Sequence, residues 1–319
     1  MTSTTTSSSS WALLTSLLAV ACSNGSSPGF SVSEGPAGAS RIRLVDGHAI
    51  AEGEAGAWQV DVAGTKVTSR RTTTIPVGGK AELTLDSQGF VADNGTIRPI
   101  TWKTSATVTA VRDGDHCVVA YETRAPATAP YELAVYSCAD GAVVRTRQLD
   151  RSVQVDALGG GGLMFVDDGT VTKVDSATGA EEWSTRTLAG SLAYAVVDGR
   201  PVALTKKGIV VLDPSTGAAL NTVPIIPARG FELRALGTSS RPHEIIAIST
   251  AHGAIGEMLA SELAVVDIDS ERVVWRQVMQ GKQAAFVATG AVAVDRVLVI
   301  VGFRGHAMDR PGGLNFGPN

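Results

Sequence analysis

Away from the N-terminus, no long apolar run occurs anywhere in the 319 residues, and the chain is also short of charge (18% of residues) and of aromatic rings (5%). Without long apolar or heptad-like stretches, long helices are not expected. A net charge of −4 leaves no basic stripe, so electrostatic capture of nucleic acid or of an anionic membrane surface is unsupported. Catalytic signatures are missing too. There is no Gly-x-Ser-x-Gly elbow, no phosphate loop and no dinucleotide fingerprint, and Gly159 to Gly162 reads as a plain strand connection. The histidines His48, His116, His243, His252 and His306 are scattered, without the paired spacing that suits zinc. What is plentiful is glycine (35) and apolar residues in short runs (44% hydrophobic overall), the composition of many short strands joined by tight turns.

The one apolar run, Trp11 to Ala21, is of signal-peptide length and too short to span a bilayer, which takes about 20 residues. It ends at Cys22, and Leu18-Ala19-Val20-Ala21-Cys22 resembles a bacterial lipobox, in which small residues precede a Cys that is lipidated and becomes the mature N-terminus. Ala19 stands where Leu is commoner, and Met1 to Ser10 contains no Lys or Arg, although a positive leader is the rule. Lipidation at Cys22 is the favoured reading; ordinary cleavage and an uncleaved anchor remain open. Residues 23–40, rich in Ser, Gly, Pro and Ala, have the composition of a flexible tether, which would hold a domain roughly 20–25 Å from the membrane. The expected organisation is therefore residues 1–22 signal peptide, 23–40 tether and 41–319 one domain, exported and lipid-anchored at the cell envelope.

Two thiols then remain, Cys117 and Cys138. His116 to Thr123 and Tyr131 to Ser137 read as strands around the loop Arg124 to Pro130. A symmetric hairpin would set Cys117 opposite Cys138, Val119 opposite Tyr136 and Ala120 opposite Val135. Cross-strand neighbours are close to disulfide range, and export favours the bond. The alternative is two separate small buried side chains.

Internal repetition is the most specific signal. Gly169 to Trp183 and Gly208 to Asn221 share a strand ending at Asp (Asp175, Asp213), a turn closing on Thr-Gly (Gly179, Gly217) and a following strand. The interval from Gly179 to Gly217 is the same as that from Gly141 to Gly179, so Gly141 marks a third copy of the turn. A further copy places Asp267 before Trp275 at the spacing that separates Asp175 from Trp183. Asp-Gly and Asn-Gly pairs at Asp46, Asp113, Asp168, Asp198 and Asn94 sit between apolar runs, as type I′ hairpins require. The strands divide into units at about Arg41–Thr73, Ala81–Thr104, Ala106–Asp150, Arg151–Leu188, Ala189–Ile226, Phe231–Met279 and from Ala284 onward. Seven four-stranded antiparallel units predict an all-β propeller of about seven blades. The last unit is incomplete in sequence; Leu314–Phe316 is expected to add its third strand and Phe30–Ser33 its outermost one.

Val-Asp-Ser-Ala-Thr-Gly-Ala-Glu-Glu-Trp, ending at Trp183, resembles the repeat of pyrroloquinoline-quinone-type (PQQ-like) propellers, in which a strand ending in Asp leads through a Thr-Gly turn to a Trp that packs between blades. The resemblance covers roughly Arg41 to Phe303. It implies a propeller and, for small exported members, a binding or scaffold role; another propeller class or a pair of β-sandwiches is the alternative. Members that oxidise alcohols or sugars hold the quinone with Ca²⁺ and carry an adjacent Cys pair, which this chain lacks. Asp267, Asp269 and Glu271 form its densest acidic group, better read as solvated turn carboxylates than as the six to eight oxygens Ca²⁺ prefers. No metal and no cofactor are expected. Trp183 and Trp275 read as interblade core.

Departures from the repeat are where recognition is expected. Asp267 follows Asp213 at a longer interval than Asp213 follows Asp175, and the surplus falls in Ser239 to Ser261, which holds His243, His252, Ile255, Met258 and Leu259. Such a loop could contact a partner or simply cap its own blade. The loop Arg124 to Pro130, pinned by the disulfide, is the second candidate. The leading expectation is a monomeric, non-catalytic envelope lipoprotein that binds an envelope protein and meets the membrane only through its anchor. A propeller enzyme (a quinoprotein or a hydrolase) and a small-ligand or carbohydrate sensor are the alternatives.

Overall fold

The computed structural model describes residues 15–21, 29–33, 39–53, 56–63, 66–103, 108–124, 130–186, 190–252, 258–279, 285–294 and 297–305. Every regular element among them is a strand. The N-terminal pair is β1 (Thr15–Ala21) and β2 (Gly29–Ser33). Five four-stranded antiparallel meanders follow. The first is β3 (Ala39–Val45), β4 (His48–Gly53), β5 (Gly56–Ala63) and β6 (Lys66–Thr72); the second is β7 (Thr74–Gly78), β8 (Ala81–Thr84), β9 (Gly89–Val91) and β10 (Ile97–Pro99). The third is β11 (Thr109–Asp113), β12 (His116–Glu122), β13 (Tyr131–Ser137) and β14 (Val143–Leu149); the fourth is β15 (Gln154–Gly159), β16 (Gly162–Asp167), β17 (Thr170–Asp175) and β18 (Glu181–Thr185). The fifth is β19 (Ala193–Val197), β20 (Arg200–Thr205), β21 (Gly208–Leu212) and β22 (Ala219–Pro224). The sixth sheet has eight strands in the order β2-β1-β28-β27-β23-β24-β25-β26, where β23 is Phe231–Ser239, β24 Glu244–His252, β25 Met258–Asp267, β26 Arg272–Met279, β27 Ala285–Val294 and β28 Val297–Gly305.

This is a β-propeller. The first strands β3, β7, β11, β15, β19, β23 and β27 each touch the next and the last touches the first, so they encircle an axis while the fourth strands form the rim. Because each meander alternates direction, the turns from first to second and from third to fourth strand emerge on one face, and those from second to third strand on the other. The apolar side chains lie between the sheets. One cluster joins Ile50, Leu83, Phe90, Ala110, Val119 and Tyr136 across the first three meanders, with Phe90 stacked on Tyr136 at a centroid distance of 4.7 Å. A second joins Val202, Ile209 and Val211 to Ile245, Ala247 and Val266. A buried side chain of this size contributes about 1.5–3 kcal/mol. No meander could bury both faces alone; the ring supplies each with two neighbours.

The structure departs from the sequence expectations in four places. The second unit begins at Thr74, not Ala81. Ile75 and Val77 alternate inward in β7, but Pro76 and the Gly78-Gly79 pair break the pattern that marks a strand. In the β12–β13 hairpin Cys117 faces Tyr136, Val119 faces Ala134 and Ala120 faces Leu133, a register two residues from the symmetric one. A shift of two keeps every side chain on its face, so alternation could not tell the registers apart. The Cys117–Cys138 disulfide forms all the same, diagonally, with Cα atoms 5.2 Å apart. It closes the end of the hairpin away from the 124–130 loop, roughly 17 Å along the strands, and so does not pin that loop. Finally, the strand beside β28 is β1, from Thr15↔Phe303 to Ala21↔Val297, where Leu314–Phe316 was expected. Leu314–Phe316 lies outside the described residues, and β2 flanks β1 on its far side.

The disulfide closes a segment of 21 residues. Loop-closure entropy assigns it about 3 kcal/mol. A Cys117→Ser/Cys138→Ser variant should therefore melt roughly 6–10 °C below the oxidised wild type, a difference measurable by calorimetry that vanishes when the wild type is fully reduced.

Candidate functional site: interblade turns and the axial cavity

The repeated Asp caps its own turn. Asp175 accepts hydrogen bonds from the backbone N–H and the hydroxyl of Thr178, both at 2.6 Å, and the Gly179 N–H closes on the Asp175 carbonyl at 2.9 Å. Asp213 accepts from the Ser215 and Thr216 amides at 2.7 and 3.1 Å, and Asp267 from those of Asp269 and Ser270 at 3.0 and 2.9 Å. These bonds hold all three carboxyls below the usual carboxylate range: chiefly the Thr178 hydroxyl for Asp175, the Ser215 hydroxyl for Asp213 and the Ser270 amide for Asp267. The turn is then gripped by the previous blade's outer strand. Trp183, buried, donates from Nε1 to the Pro214 carbonyl at 3.0 Å and lies against Gly217, where an added Cβ would come within 2.5 Å of the indole. Arg98 does the same at Gly141, donating to its carbonyl at 2.9 Å, and the Arg145 guanidinium fills the space over Gly179. In the sixth sheet Glu271 stands at the equivalent position with φ 55°, and the Asn221 amide reaches its carboxylate at 2.8 Å. Trp275 packs on the cluster of Ile246, Leu263, Met279 and Ala291, against β27.

A second set of contacts runs nearer the axis. The Asp-Gly hairpins at Asp46 and Asp198 place both residues at positive φ, with Asp46 at 48° and Gly47 at 77°. Their carboxylates then accept backbone amides of the following blade: Gly79 N–H to Asp46 at 2.8 Å and His243 N–H to Asp198 at 2.6 Å. Buried Asp113 accepts from Gly161 N–H at 3.3 Å. His243, the one candidate-loop residue whose side chain is described, joins a polar cluster between two blades. Its Nδ1 lies 2.8 Å from Asp198, 3.0 Å from Asp269 and 3.2 Å from Arg200, which also pairs with Asp269 at 2.7 Å.

The surplus of Ser239 to Ser261 is mostly strand: β24 and β25 have 9 and 10 residues, against 6 and 5 for their counterparts β20 and β21. His252, Met258 and Leu259 fall at the ends of β24 and β25, while Ile255, Cys22 and residues 125–129 lie outside the described residues. The ends of β12 and β24 and the starts of β13 and β25 lie on the face opposite the Asp turns. Among the described residues no group of three or more His, Cys, Asp and Glu side chains is placed to hold a metal ion.

Sequence reasoning missed the axial cavity, of about 530 Å³. It is lined by Arg41, Arg43, Arg112, Asp46, Asp156 and Thr238 with backbone of Gly78 and Gly79, contributed by β3, β7, β11, β15 and β23 and the turns beside them. Arg112 makes four hydrogen bonds, forked on Asp93 through two 2.9 Å bonds and also donating to the Gly78 and Gly114 carbonyls. Its guanidinium holds the Asp93 carboxyl below the ordinary range. Burial pushes the Asp156 carboxyl up to about 6, against the opposing effects of a Gln154 hydrogen bond and the Arg41 charge. The residue as a whole is half-buried because it faces the open cavity, so water there tempers the effect. The alternation Arg41-Ile42-Arg43 was the available signal, since it puts both cations on one face of β3 while Ile42 enters the core.

A family profile described as outer membrane protein assembly factor BamB, of the PQQ-repeat type, matches residues 48–294. The chain belongs to this family. Solved structures agree on the fold alone. Hsv2 of Kluyveromyces lactis, with its loop 6CD replaced by a Gly-Ser linker, is 8% identical over 83% of this chain and 89% of its own, with a TM-score of 0.56. Hsv2 of Kluyveromyces marxianus is 9% identical over 82% and 88%, with a TM-score of 0.51. BamB of Moraxella catarrhalis is 17% identical over 82% and 96%, with a TM-score of 0.40. No curated protein matches the chain at significant similarity.

Two outcomes follow from the BamB-type turns. Gly217→Ala introduces a side chain at φ 71° against the Trp183 ring and should cost about 2–3 kcal/mol, whereas Gly190→Ala, with open space at its Cβ, should cost about 1 kcal/mol for its φ of 88°; paired melting curves decide it. The turn carboxylates have lowered folded values, so their stabilisation is complete above the unfolded value of about 3.9 and is lost as pH falls through the lower folded ones. The melting-temperature gap between wild type and Asp175→Ala/Asp213→Ala should be constant from pH 5 to 7 and close below about pH 3.5.

Proposed function

We propose that this BamB-type propeller is a non-catalytic scaffold of the cell envelope, tethered by a lipid on Cys22 and binding a protein partner. Membership of a family described by an outer-membrane assembly factor carries the reading. A formed disulfide suits an exported protein. In the chain that still carries its leader, we further read the eight-stranded sheet as two blades, β23–β26 and β27–β28–β1–β2, giving seven in all. The strand pairing between its two halves among the described residues is limited to the short parallel contact Thr238↔Val292 and Ser239↔Ala293. The partner surface is assigned to the face bearing the 124–130 and 253–257 connections, because long connections on a rigid scaffold are free to vary in shape while the other face is committed to interblade turns.

Cleavage before Cys22 would remove β1 with the leader and uncover the β28 edge, so lipidation and a β1-closed seventh blade exclude each other within one molecule. The mass of the N-terminal peptide from purified protein separates them: a peptide beginning at lipidated Cys22 supports the tether, and one containing residues 15–21 supports the closed blade.

The scaffold itself is tested by crosslinking in cells followed by mass spectrometry, with Cys22→Ala as control. Reproducible crosslinks from residues 239–261 or 124–130 to one envelope protein, lost without the anchor, are expected. Crosslinks spread over many unrelated proteins, or none above the control, would overturn the reading.

A further inference from the structure

The hydrogen-bonding capacity of the axial cavity is unbalanced. Its carboxylates each take one described hydrogen bond, Asp46 from the Gly79 amide and Asp156 from the Gln154 side-chain amide at 2.6 Å. Arg112 is mostly committed, four of its N–H groups being held by Asp93 and two carbonyls. The donors of β3 are not used up. Arg43 gives Nε to Glu52 at 2.6 Å and Nη1 to the Ala110 carbonyl at 3.0 Å, which fixes its guanidinium, yet its Nη2 is buried with no partner. Arg41, two residues away on the same face of the strand, makes no hydrogen bond or ion pair among the described residues, and Asp156 is a carboxylate near enough to feel its charge. Buried guanidinium donors without acceptors are costly, and a planar fork that is already immobilised is suited to a two-oxygen anion.

We propose that the axial cavity is a binding site for a small oxyanion, the carboxylate or phosphate group of a soluble ligand, held between Arg41 and Arg43. The anion supplies counter-charge to Arg41, and reaches Arg43 Nη2, which is fully covered, only by a small shift of that side chain. Both arginines stand on β3, one of the encircling first strands, so occupancy ties that blade to its neighbours across the axis. The volume of about 530 Å³ exceeds that of a bare ion and leaves room for an organic body beside the Val77, Ala110 and Val111 side chains. Asp156 on β15 is the group that resists the anion. Facing it across the cavity are Arg41, Arg43 and Asp46 on β3 and its turn and Arg112 on β11, with Gln154 on its own strand. With its carboxyl raised to about 6, Asp156 takes up a proton as pH falls through that value, and anion affinity rises. The site is independent of any protein partner on the loop face.

Titration calorimetry on the full chain tests the assignment with sulfate, inorganic phosphate and succinate as probes. Saturable binding of at least one probe is expected, weakened on the order of tenfold by Arg41→Gln. Phosphate binding without succinate binding identifies a phosphate ligand, and the reverse a carboxylate. Sulfate, whose charge is constant over the range, should bind more tightly at pH 5.5 than at pH 7.5, and Asp156→Asn should abolish that difference. If Arg41→Gln fails to fold, Arg41→Lys keeps the charge and loses the fork, and should still weaken binding. No saturable binding by any probe, or binding that Arg41→Gln or Arg41→Lys leaves unchanged, would overturn the proposal.

Discussion

A backbone amide of one blade donating to an aspartate of the blade before it is the interaction that sets the ring. Apolar faces attract one another without direction and tolerate sliding, so packing of Val, Ile and Leu between sheets fixes the distance between blades better than their rotation. The bonds Gly79 to Asp46, Gly161 to Asp113 and His243 to Asp198 supply the direction near the axis. The contacts of Arg98, Arg145, Trp183 and Asn221 with the next blade's turn supply it near the rim. Two attachments at different radii define a hinge-free angle. The outer attachment is chemically loose, since an indole, a guanidinium and a carboxamide all serve, while the turn that receives it keeps a residue at positive φ, Gly at Gly141, Gly179 and Gly217 and Glu at Glu271.

That asymmetry explains which parts of the fold were legible in the sequence. The receiving turn uses Gly to admit the neighbour and, at Asp175, Asp213 and Asp267, Asp to cap the amides, so its Gly recurs at a constant interval through Gly141, Gly179 and Gly217 and could be read directly. The all-β class and the unit boundaries follow from it, apart from β7, where Pro76 and paired glycines hide a strand of two inward residues. The gripping residue varies and could be recognised only where it was Trp. Register within a hairpin was not legible: the β12–β13 pairing differs from the symmetric one by two residues, which changes no side chain's face and still leaves the two sulfurs within bonding range. The surplus of the sixth sheet looked like a loop because length alone does not distinguish a longer strand from a longer connection; the hydrophobic alternation Ile246, Ile248 and Leu263, Val265 was the better guide.

The cavity was invisible for a different reason. Arg41, Arg43, Arg112, Asp156 and Thr238 come from distant parts of the chain and meet only because first strands converge on the axis. Local spacing marks only Arg41 and Arg43, which alternate about Ile42. For the set as a whole the signal is negative: positions that face the axis would be apolar in a dry channel, and charged residues there need counter-charges that the chain supplies in part. Glu52 and Asp93 match Arg43 and Arg112 closely, but Arg41 makes no ion pair among the described residues, and Asp156, near enough to feel its charge, is an aspartate whose own ionisation is disfavoured. A solvated salt-bridge network would contribute little and tolerate such imbalance; a half-buried one does not, and the imbalance itself becomes information about what the channel holds.

The two ends of the ring also differ in mechanical character. On one face lie the capped Asp turns, the His243 cluster and the disulfide, which joins the start of β12 to the turn after β13. Each of these contacts spans strands or blades, so the face can change shape only by breaking several hydrogen bonds together. The opposite face carries the strand ends from which the second-to-third-strand connections leave. A scaffold needs this division: the committed face keeps blade angles constant, and constant angles are what allow variable connections on the other face to present a surface of fixed spacing. The axial arginines stand between the two, on the strands that transmit any change in blade angle from one face to the other, so a ligand there would stiffen the frame on which the loop face is displayed.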